Sequence, residues 1–296
     1  MSAFSAEEDR ALLLLVVAFE DQNGVIDWNK VMNYIQPTTK TEDEYKQRLQ
    51  YLKIEDTTQL RTLPSSYVAG SSLMGASTNR STEEIYEAID EIFGHFTVAD
   101  VKQPSGAKQL NAGEIAPVGV TAMVQAIDIS TDDIFLDIGS GTGSVLAQII
   151  LQTPVRKCFG LEIREALSQK SRDTINAMKI KYARLLLIDI ITGDIKDLSV
   201  NTAQDFSTAT YVFCNNLVFT PEDSLAVSTF LCKSLMCKFA LVTDRFCARC
   251  SSACTNEFCM SWSEVKVVAA QSCWKDEPVD IYIYKRKGLV DMLASF

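Results

Sequence analysis

The stretch IFLDIGSGTGSVLAQII, residues 134–150, decides the fold class of this chain. An apolar run ends in Asp137, glycines alternate at positions 139, 141 and 143, and a helix-like apolar pattern follows. Glycines between a strand and a helix let the backbone approach a nucleotide-like ligand without a Cβ clash. This D-x-G-x-G-x-G spacing lacks the lysine of a phosphate-binding P-loop and departs from the G-x-G-x-x-G of dinucleotide folds.

From residue 119 onward, apolar runs alternate with helical patterns, which indicates a doubly wound α/β sheet. We predict strands at 134–138, 157–162, 184–190, 210–214 and 238–243, and a closing hairpin of two strands around Asp276 to Pro278. The predicted fold class is a mostly parallel, seven-stranded α/β sheet preceded by a small three-helix domain.

Acids at the ends of three predicted strands indicate the ligand. In a doubly wound sheet the ligand lies at the carboxyl ends of the strands. Asp137 ends the first strand and Glu162 ends the second, where a carboxylate can accept from both ribose hydroxyls. Asp194 and Ile195 follow the third strand and suit an adenine amino group and ring. These features are those of S-adenosylmethionine-dependent methyltransferases; another Rossmann-like nucleotide-binding protein is the alternative.

Bulk composition excludes several classes of protein. The chain has 296 residues, 47% hydrophobic and 22% charged, and can bury a substantial core. No apolar run reaches the roughly 18 residues of a membrane span. All nine cysteines follow residue 157, which favours a reducing compartment over a disulfide scaffold. A net charge of −10 disfavours non-specific nucleic-acid binding and suits a basic partner such as a histone surface.

The sequence pattern divides the chain into three parts. Residues 1–53 form three short helices, residues 54–81 are a linker rich in Ser, Thr and Gly, and residues 82–296 are the α/β domain with a helical lead-in.

The N-terminal part resembles a Myb/SANT-type module in three segments, FSAEEDRALLLLV, IDWNKVMNYI and KTEDEYKQRLQYL. DNA-binding Myb repeats have a basic third helix, whereas residues 41–53 carry three acids and three bases. We therefore expect contact with chromatin proteins or histones and no sequence-specific DNA binding. The alternative is a helical prefix that only packs on its neighbour.

The rest of the chain carries a second resemblance. The motifs are GEIAPVGV at 113–120, the glycine stretch, GDI at 193–195, NNLVFTPE at 215–222 and SCWKDEPVDIYIY at 272–284. In this order they resemble the non-SET histone lysine methyltransferases of the disruptor-of-telomeric-silencing family, over about residues 82–287.

This resemblance implies S-adenosylmethionine-dependent methylation of a lysine in the globular core of histone H3, on nucleosomes in the nucleus. It implies that Asn215 and Phe219 are the catalytic-site residues, with Asn215 beside the transferred methyl group and the cofactor and Phe219 helping to line the lysine channel. The implied cofactor-binding residues are Gly113, Glu114, Ile115, Asp137, Gly139, Ser140, Gly141, Gly143, Ser144, Glu162, Asp194, Ile195 and Asn215. The implied substrate channel consists of Ala112, Phe219, Trp274 and Ile281.

Departures from the family pattern concentrate in the implied channel. Ala112 and Ile281 stand where the family has tyrosines, Leu217 replaces a phenylalanine, and Thr220 replaces a glycine. Two alternatives therefore stay open beside histone H3 methylation. One is a chromatin-binding module that keeps the cofactor fold with little activity, and the other is a methyltransferase for a non-histone lysine.

Four cysteines, at positions 247, 250, 254 and 259, lie in CARCSSACTNEFC. The initial C-x₂-C spacing is typical of a zinc ligand pair. The later spacings of three and four residues are cramped for a zinc knuckle between two strands. We therefore predict no metal site and place these thiols on a helix or loop after the fifth strand.

Overall fold

The computed structural model describes residues 4, 12, 16, 25–35, 40–59, 80–102, 113–198, 205–247 and 254–287. The chain forms two compact units, Met1–Ala76 and Ser77–Phe296. Within the described ranges no helix is both long enough and apolar enough to span a bilayer.

The N-terminal unit contains the helices α1 (Trp28–Ile35) and α2 (Glu42–Gln59) and a small hydrophobic core of its own. Leu12 and Val16, which are also helical, pack in this core with Val31, Tyr45 and Leu49. The predicted first helix lies mostly outside the described residues, so the three-helix, Myb/SANT-like prediction stays a prediction.

Helix α2 begins directly after Thr41, which caps it. The Glu44 carboxylate accepts from the backbone N–H of Thr41 at 2.7 Å, and the Glu44 N–H donates back to the Thr41 hydroxyl at 3.3 Å. This reciprocal pair satisfies amides that have no partner inside the helix. The helix continues to Gln59, so residues 54–59, predicted as the start of the linker, are its last turns. Residues 60–79 of that linker lie outside the described residues.

The second unit is built on a seven-stranded sheet with the order β3-β2-β1-β4-β5-β7-β6. Its strands are β1 (Ile134–Ile138), β2 (Lys157–Glu162), β3 (Ile188–Thr192), β4 (Tyr211–Cys214), β5 (Phe239–Val242), β6 (Trp262–Ala270) and β7 (Val279–Arg286). Strands β1 to β5 are parallel, and β7 pairs antiparallel with both β5 and β6. This topology confirms the predicted fold class.

Helices cover both faces of this sheet, which explains why β1 is buried along its whole length. Phe135 enters one hydrophobic cluster, whereas its neighbours Ile134 and Leu136 enter the other. The helices are α3 (Thr82–Phe93), α4 (Val98–Val101), α5 (Pro117–Val124), α6 (Ser144–Gln152), α7 (Glu165–Met178), α8 (Pro221–Lys233) and α9 (Glu257–Ser261). Two 3₁₀ turns, Ala183–Leu187 and Ile195–Asp197, flank β3.

Two predicted strand positions need correction. The run predicted as a strand from residue 184 is a 3₁₀ turn up to Leu187, and β3 begins only at Ile188. The first strand of the closing hairpin is β6, which lies before residue 272 and is mostly exposed along its length. Polar and apolar residues alternate in this edge strand, so it contains no continuous apolar run, and the sequence analysis did not predict it.

Arg184 explains the 3₁₀ turn. Its buried guanidinium donates to the carbonyl oxygens of Ile150 at 2.6 Å, Thr153 at 3.0 Å and Val155 at 2.7 Å. These carbonyls belong to the last turn of α6 and the residues after it, where no intrahelical donor is available. Arg184 therefore ties the end of α6 to the chain entering β3.

We predict that Arg184→Ala lowers the free energy of unfolding by about 3 kcal/mol, because it leaves buried carbonyl oxygens without donors. Urea unfolding followed by circular dichroism measures the change. Arg156→Ala, at an exposed position in the same connection, serves as the control and should change stability by less than about 0.5 kcal/mol. Equal stability of the two variants would contradict the structural role of Arg184.

Candidate cofactor and active site

The turn between β1 and α6 places the glycine loop at the carboxyl edge of the sheet. The backbone N–H groups of Gly139 and Ser140 both donate to the carbonyl oxygen of Leu161, at 2.7 and 3.0 Å. Gly139 has a φ of 83°, and a Cβ on it would lie 3.2 Å from the Phe219 ring. Gly143 has the same φ, and a Cβ there would lie 2.7 Å from a side-chain oxygen. Both positions therefore require glycine.

Glu162, the last residue of β2, holds the middle of this loop. Its Oε2 atom accepts from the Gly141 N–H and its Oε1 atom accepts from the Arg164 N–H, each at 2.9 Å. Burial raises the pKa of the Glu162 carboxyl, an effect that these donors partly offset. A carboxylate oxygen can accept more than one hydrogen bond, so both oxygens keep capacity for ligand hydroxyls.

Asp137 is buried beneath the loop, and its Oδ1 atom has no hydrogen-bond partner among the described residues. Burial and the repulsion of Glu162 and Glu114 raise the pKa of Asp137 well above its ordinary value. Burial also raises the pKa of Glu114, which accepts a hydrogen bond from the Thr142 hydroxyl. A buried carboxylate oxygen without a donor is rare. Three acids in a desolvated site are therefore suited to a cationic ligand.

Asn215 follows β4 and is fixed at both ends of its amide. Its Nδ2 atom donates to the carbonyl oxygen of Gly113 at 2.6 Å. Its Oδ1 atom accepts from the hydroxyl of Thr243, the residue after β5, at 2.9 Å. The orientation of the amide is thus set by groups from two other parts of the chain.

The segment at Gly113 and Glu114 is held against the loop that follows β6. The Cys273 N–H donates to the carbonyl oxygen of Glu114 at 2.9 Å. The Trp274 ring packs on Gly113, where an added Cβ would lie 3.2 Å from two ring carbons. Trp274 is half exposed and so lies at the surface beside this segment.

One pocket brings together seven of the predicted site residues. Of the predicted set it is lined by Gly113, Gly139, Glu162, Asp194, Ile195, Asn215 and Phe219. Asp194 caps the 3₁₀ turn after β3 by accepting from the Lys196 N–H at 2.9 Å, and it pairs with the Lys196 ammonium at 3.3 Å. All of them except Gly113 lie at or just after the carboxyl ends of four parallel strands, which is where this fold binds ligands.

Other predicted residues lie elsewhere. Asp137, Ser140, Gly141 and Gly143 shape the loop without lining this pocket. Glu114, Ile115 and Ser144 line a separate cavity. Ala112 lies outside the described residues.

The structure places Ile281, a predicted channel residue, in the core. Its side chain is fully buried in the same hydrophobic cluster as Phe135, and it does not line the pocket. In β7 it pairs with Val268, and the alternation of the strand directs it into the helix-covered core. An isoleucine at this position is therefore a core residue.

Sequence reasoning missed Thr243, which orients Asn215 without lining the pocket. It also missed four apolar residues that do line the pocket, Ile138, Leu161, Ile163 and Val218. Thr243 had a usable signal, because a polar residue directly after a buried parallel strand lies at the ligand edge. The apolar residues had none, since in the sequence they look like any other core or surface position.

The model of the family described as "Histone methylation protein DOT1" matches residues 100–283. The chain belongs to the DOT1 family. A Drosophila melanogaster relative of the family, a "Histone-lysine N-methyltransferase, H3 lysine-79 specific", is 28% identical over 113 residues. That match covers 37% of this chain and 6% of the relative, so the chain corresponds to a small part of that protein's length.

Two of the solved structures to which this chain is similar are methyltransferases, both at low sequence identity. A dimethyladenosine transferase from Plasmodium falciparum is 15% identical, with a TM-score of 0.42 over 61% of this chain and 64% of that one. TrmK of M. capricolum, in complex with S-adenosyl-homocysteine, is 8% identical, with a TM-score of 0.39 over 58% of this chain and 73% of that one. The fold assignment of this DOT1-family chain rests on its own strand order.

The description of the family as a histone methylation protein supports the predicted methyltransferase class, for which S-adenosylmethionine is the predicted cofactor. The site fits this molecule, which carries an ammonium group and a sulfonium. The unpartnered Asp137 oxygen can accept a hydrogen bond from the ammonium, and the remaining lone pairs of the Glu162 carboxylate can accept from the ribose hydroxyls. Ile195 offers an apolar contact in the pocket for the adenine ring.

We predict that Asp137→Asn weakens binding of S-adenosylmethionine about tenfold or more, because a hydrogen bond to a charged group contributes about 1.5–3 kcal/mol. The same change should stabilise the folded chain without cofactor. When the pKa of a carboxyl is higher in the folded than in the unfolded chain, the free energy of unfolding decreases as the pH rises from the unfolded pKa through the folded pKa. The gain of the asparagine variant should therefore be larger at pH 8 than at pH 4.

Isothermal titration calorimetry measures the binding, and thermal unfolding across this pH range measures the stability. Asp132→Asn, at an exposed position five residues before Asp137, is the matched control and should change neither. Unchanged cofactor affinity in Asp137→Asn would show that Asp137 only supports the loop.

Proposed function

We propose that this chain transfers a methyl group from S-adenosylmethionine to a lysine of histone H3. The match to the DOT1 family over residues 100–283 and the H3 lysine specificity in the name of the Drosophila relative support this proposal. The observation that carries it in the structure is the placement of Asn215 in the cofactor pocket, with its amide held by Gly113 and Thr243.

The entrance to the site suits a lysine side chain. Val218 and Phe219 line the pocket next to Asn215, and Leu217 and Trp274 are 44% and 42% exposed. Apolar walls accept the methylene groups of a lysine and desolvate its amine. Desolvation lowers the pKa of an amine, which raises the fraction in the neutral, nucleophilic form.

S-adenosylmethionine, when bound, supplies a methyl group on a sulfonium sulfur. The residues of this chain orient the two reactants. Asn215 is a positioning group, since both ends of its amide are engaged and an amide does not accept a proton at neutral pH. Asp137 would hold the ammonium of the cofactor, and the Phe219 ring, which lies against Gly139, would exclude water. Alignment of the amine with the methyl group then supplies much of the rate.

We also propose that the target lysine lies in the globular core of H3, that nucleosomes are the substrate, and that the chain acts in the nucleus. The net charge of −10 favours a basic partner such as a histone surface. The N-terminal unit, with a core of its own, would add contacts to chromatin proteins.

The alternative of a chromatin-binding module with little activity loses one of its two supports. It rested on Ala112 and Ile281 in the channel, and Ile281 is a core residue. A non-histone lysine target is an outcome that the following experiment distinguishes.

The test is incubation of the full chain with methyl-labelled S-adenosylmethionine and either recombinant nucleosomes or free histones. We expect label on H3. Asn215→Ala should reduce transfer about 100-fold or more, as loss of a group that aligns reactants does. Asn176→Ala, at an exposed position on α7, is the control and should retain the activity of the unchanged chain.

Calorimetry with S-adenosylmethionine completes this test. Cofactor binding without label on any histone would reject histone H3 as the substrate and move the proposal to a non-histone lysine. Full activity of Asn215→Ala would reject the role of Asn215 and leave the substrate assignment standing.

Thr243 yields a sharper prediction, because it does not line the pocket and its hydroxyl donates to the Asn215 amide at 2.9 Å, with a longer contact of 3.4 Å to the Asn216 amide. Thr243→Val keeps the shape of the side chain and removes the donor, a loss of about 1–1.5 kcal/mol. We expect a decrease in kcat of about 5- to 10-fold. The KM for S-adenosylmethionine should change little.

Thr243→Ser is the matched variant, since it keeps the hydroxyl, and it should restore most of the kcat. Steady-state kinetics at saturating cofactor measure all three chains. A positioning role is contradicted if the valine and serine variants lose the same activity, because the methyl group would then be the important part of Thr243.

A further inference from the structure

Three cysteine side chains converge in the connection between β5 and β6. They belong to Cys247, Cys254 and Cys259, and their sulfur atoms all lie within 4.8 Å of one another. The Sγ atoms of Cys247 and Cys254 are 3.6 Å apart. The three residues span thirteen positions of sequence, so the fold of this connection brings the thiols together.

The spacing of these sulfurs fits a shared metal ion better than a disulfide. A disulfide requires its sulfurs about 2.05 Å apart. Zinc binds thiolates at about 2.3 Å with tetrahedral geometry, which places ligand sulfurs about 3.8 Å from one another. The observed 3.6 Å between two of them is close to this value, and the third lies within reach of both.

The surroundings hold the third thiol firmly. Cys259 is buried on α9, whose first turn is capped by the Asn256 side chain accepting from the Phe258 N–H at 3.0 Å. Phe258 anchors the helix in the core against Trp262. The Lys287 ammonium donates to the Cys259 carbonyl oxygen at 2.8 Å, which puts a cation beside thiolates. Three thiolates and Zn²⁺ together carry a net negative charge that this cation offsets.

We propose that Cys247, Cys254 and Cys259 bind one zinc ion. Each thiol binds as a thiolate and releases its proton to solvent. The sequence offers Cys250 as a further thiol, and this residue lies outside the described residues. The site is separate from the cofactor pocket, and the proposal is independent of the methyl-transfer reaction.

The ion would act as a structural brace. It would join the chain that leaves β5 to helix α9, which leads directly into β6. Thr243, which orients Asn215, lies only four residues before Cys247. The brace would therefore stabilise the end of the connection that borders the active site. This inference replaces the sequence-based prediction of no metal, which was made from spacings alone.

The test uses the full chain, purified with a reducing agent after expression in zinc-supplemented medium. Inductively coupled plasma mass spectrometry should find one zinc per chain. Cys254→Ser and Cys259→Ala should each lose most of this zinc. Cys232→Ser, which alters a half-buried thiol on α8 outside the group, is the control and should keep it.

Cobalt(II) exchange into the unchanged chain keeps the proposal testable even if a cysteine variant fails to fold. A tetrahedral thiolate site gives cobalt(II) intense ligand-field and sulfur-to-metal charge-transfer absorption, which zinc should abolish by competition. This spectrum in the unchanged chain would support the proposal. Its absence, or zinc at background level in the unchanged chain, would overturn it.

Discussion

The hydrogen bond from the Gly141 N–H to the Glu162 carboxylate is the constraint on which the site depends. It joins the turn after β1 to the end of β2, and the carbonyl oxygen of Leu161 holds the same turn through Gly139 and Ser140. With the loop fixed in this way, its first residue, Gly139, lines the pocket. The Glu162 carboxylate is also buried, so the glycine loop is held by a desolvated group whose pKa is raised by burial.

That arrangement concentrates negative charge in the part of the chain that must bind a cation. Asp137 and Glu114 share the site with Glu162, and each acid raises the proton affinity of Asp137. Burial of Asp137, together with these two charges, would therefore destabilise the site without ligand, and a positively charged cofactor would relieve this. Binding specificity and local instability have the same origin here, which is common at functional sites.

The active-site amide depends on distant parts of the chain in a different way. Asn215 is held by Gly113, which precedes the sheet, and by Thr243, which follows β5. Trp274, from the connection between β6 and β7, packs on Gly113. The orientation of one side chain thus requires the correct closure of the antiparallel end of the sheet. Changes in that end can affect the reaction without touching a ligand.

The sequence by itself determined the doubly wound fold, the glycine loop, the acids at the strand ends and the family, because these depend on local periodicity and on ordered motifs. Seven predicted site residues do meet in one pocket. Only the tertiary structure placed Ile281 in the core, ended α2 at Gln59 and brought three cysteines together. The direction of a strand side chain and the distance between two loops depend on long-range pairing, which local pattern does not specify.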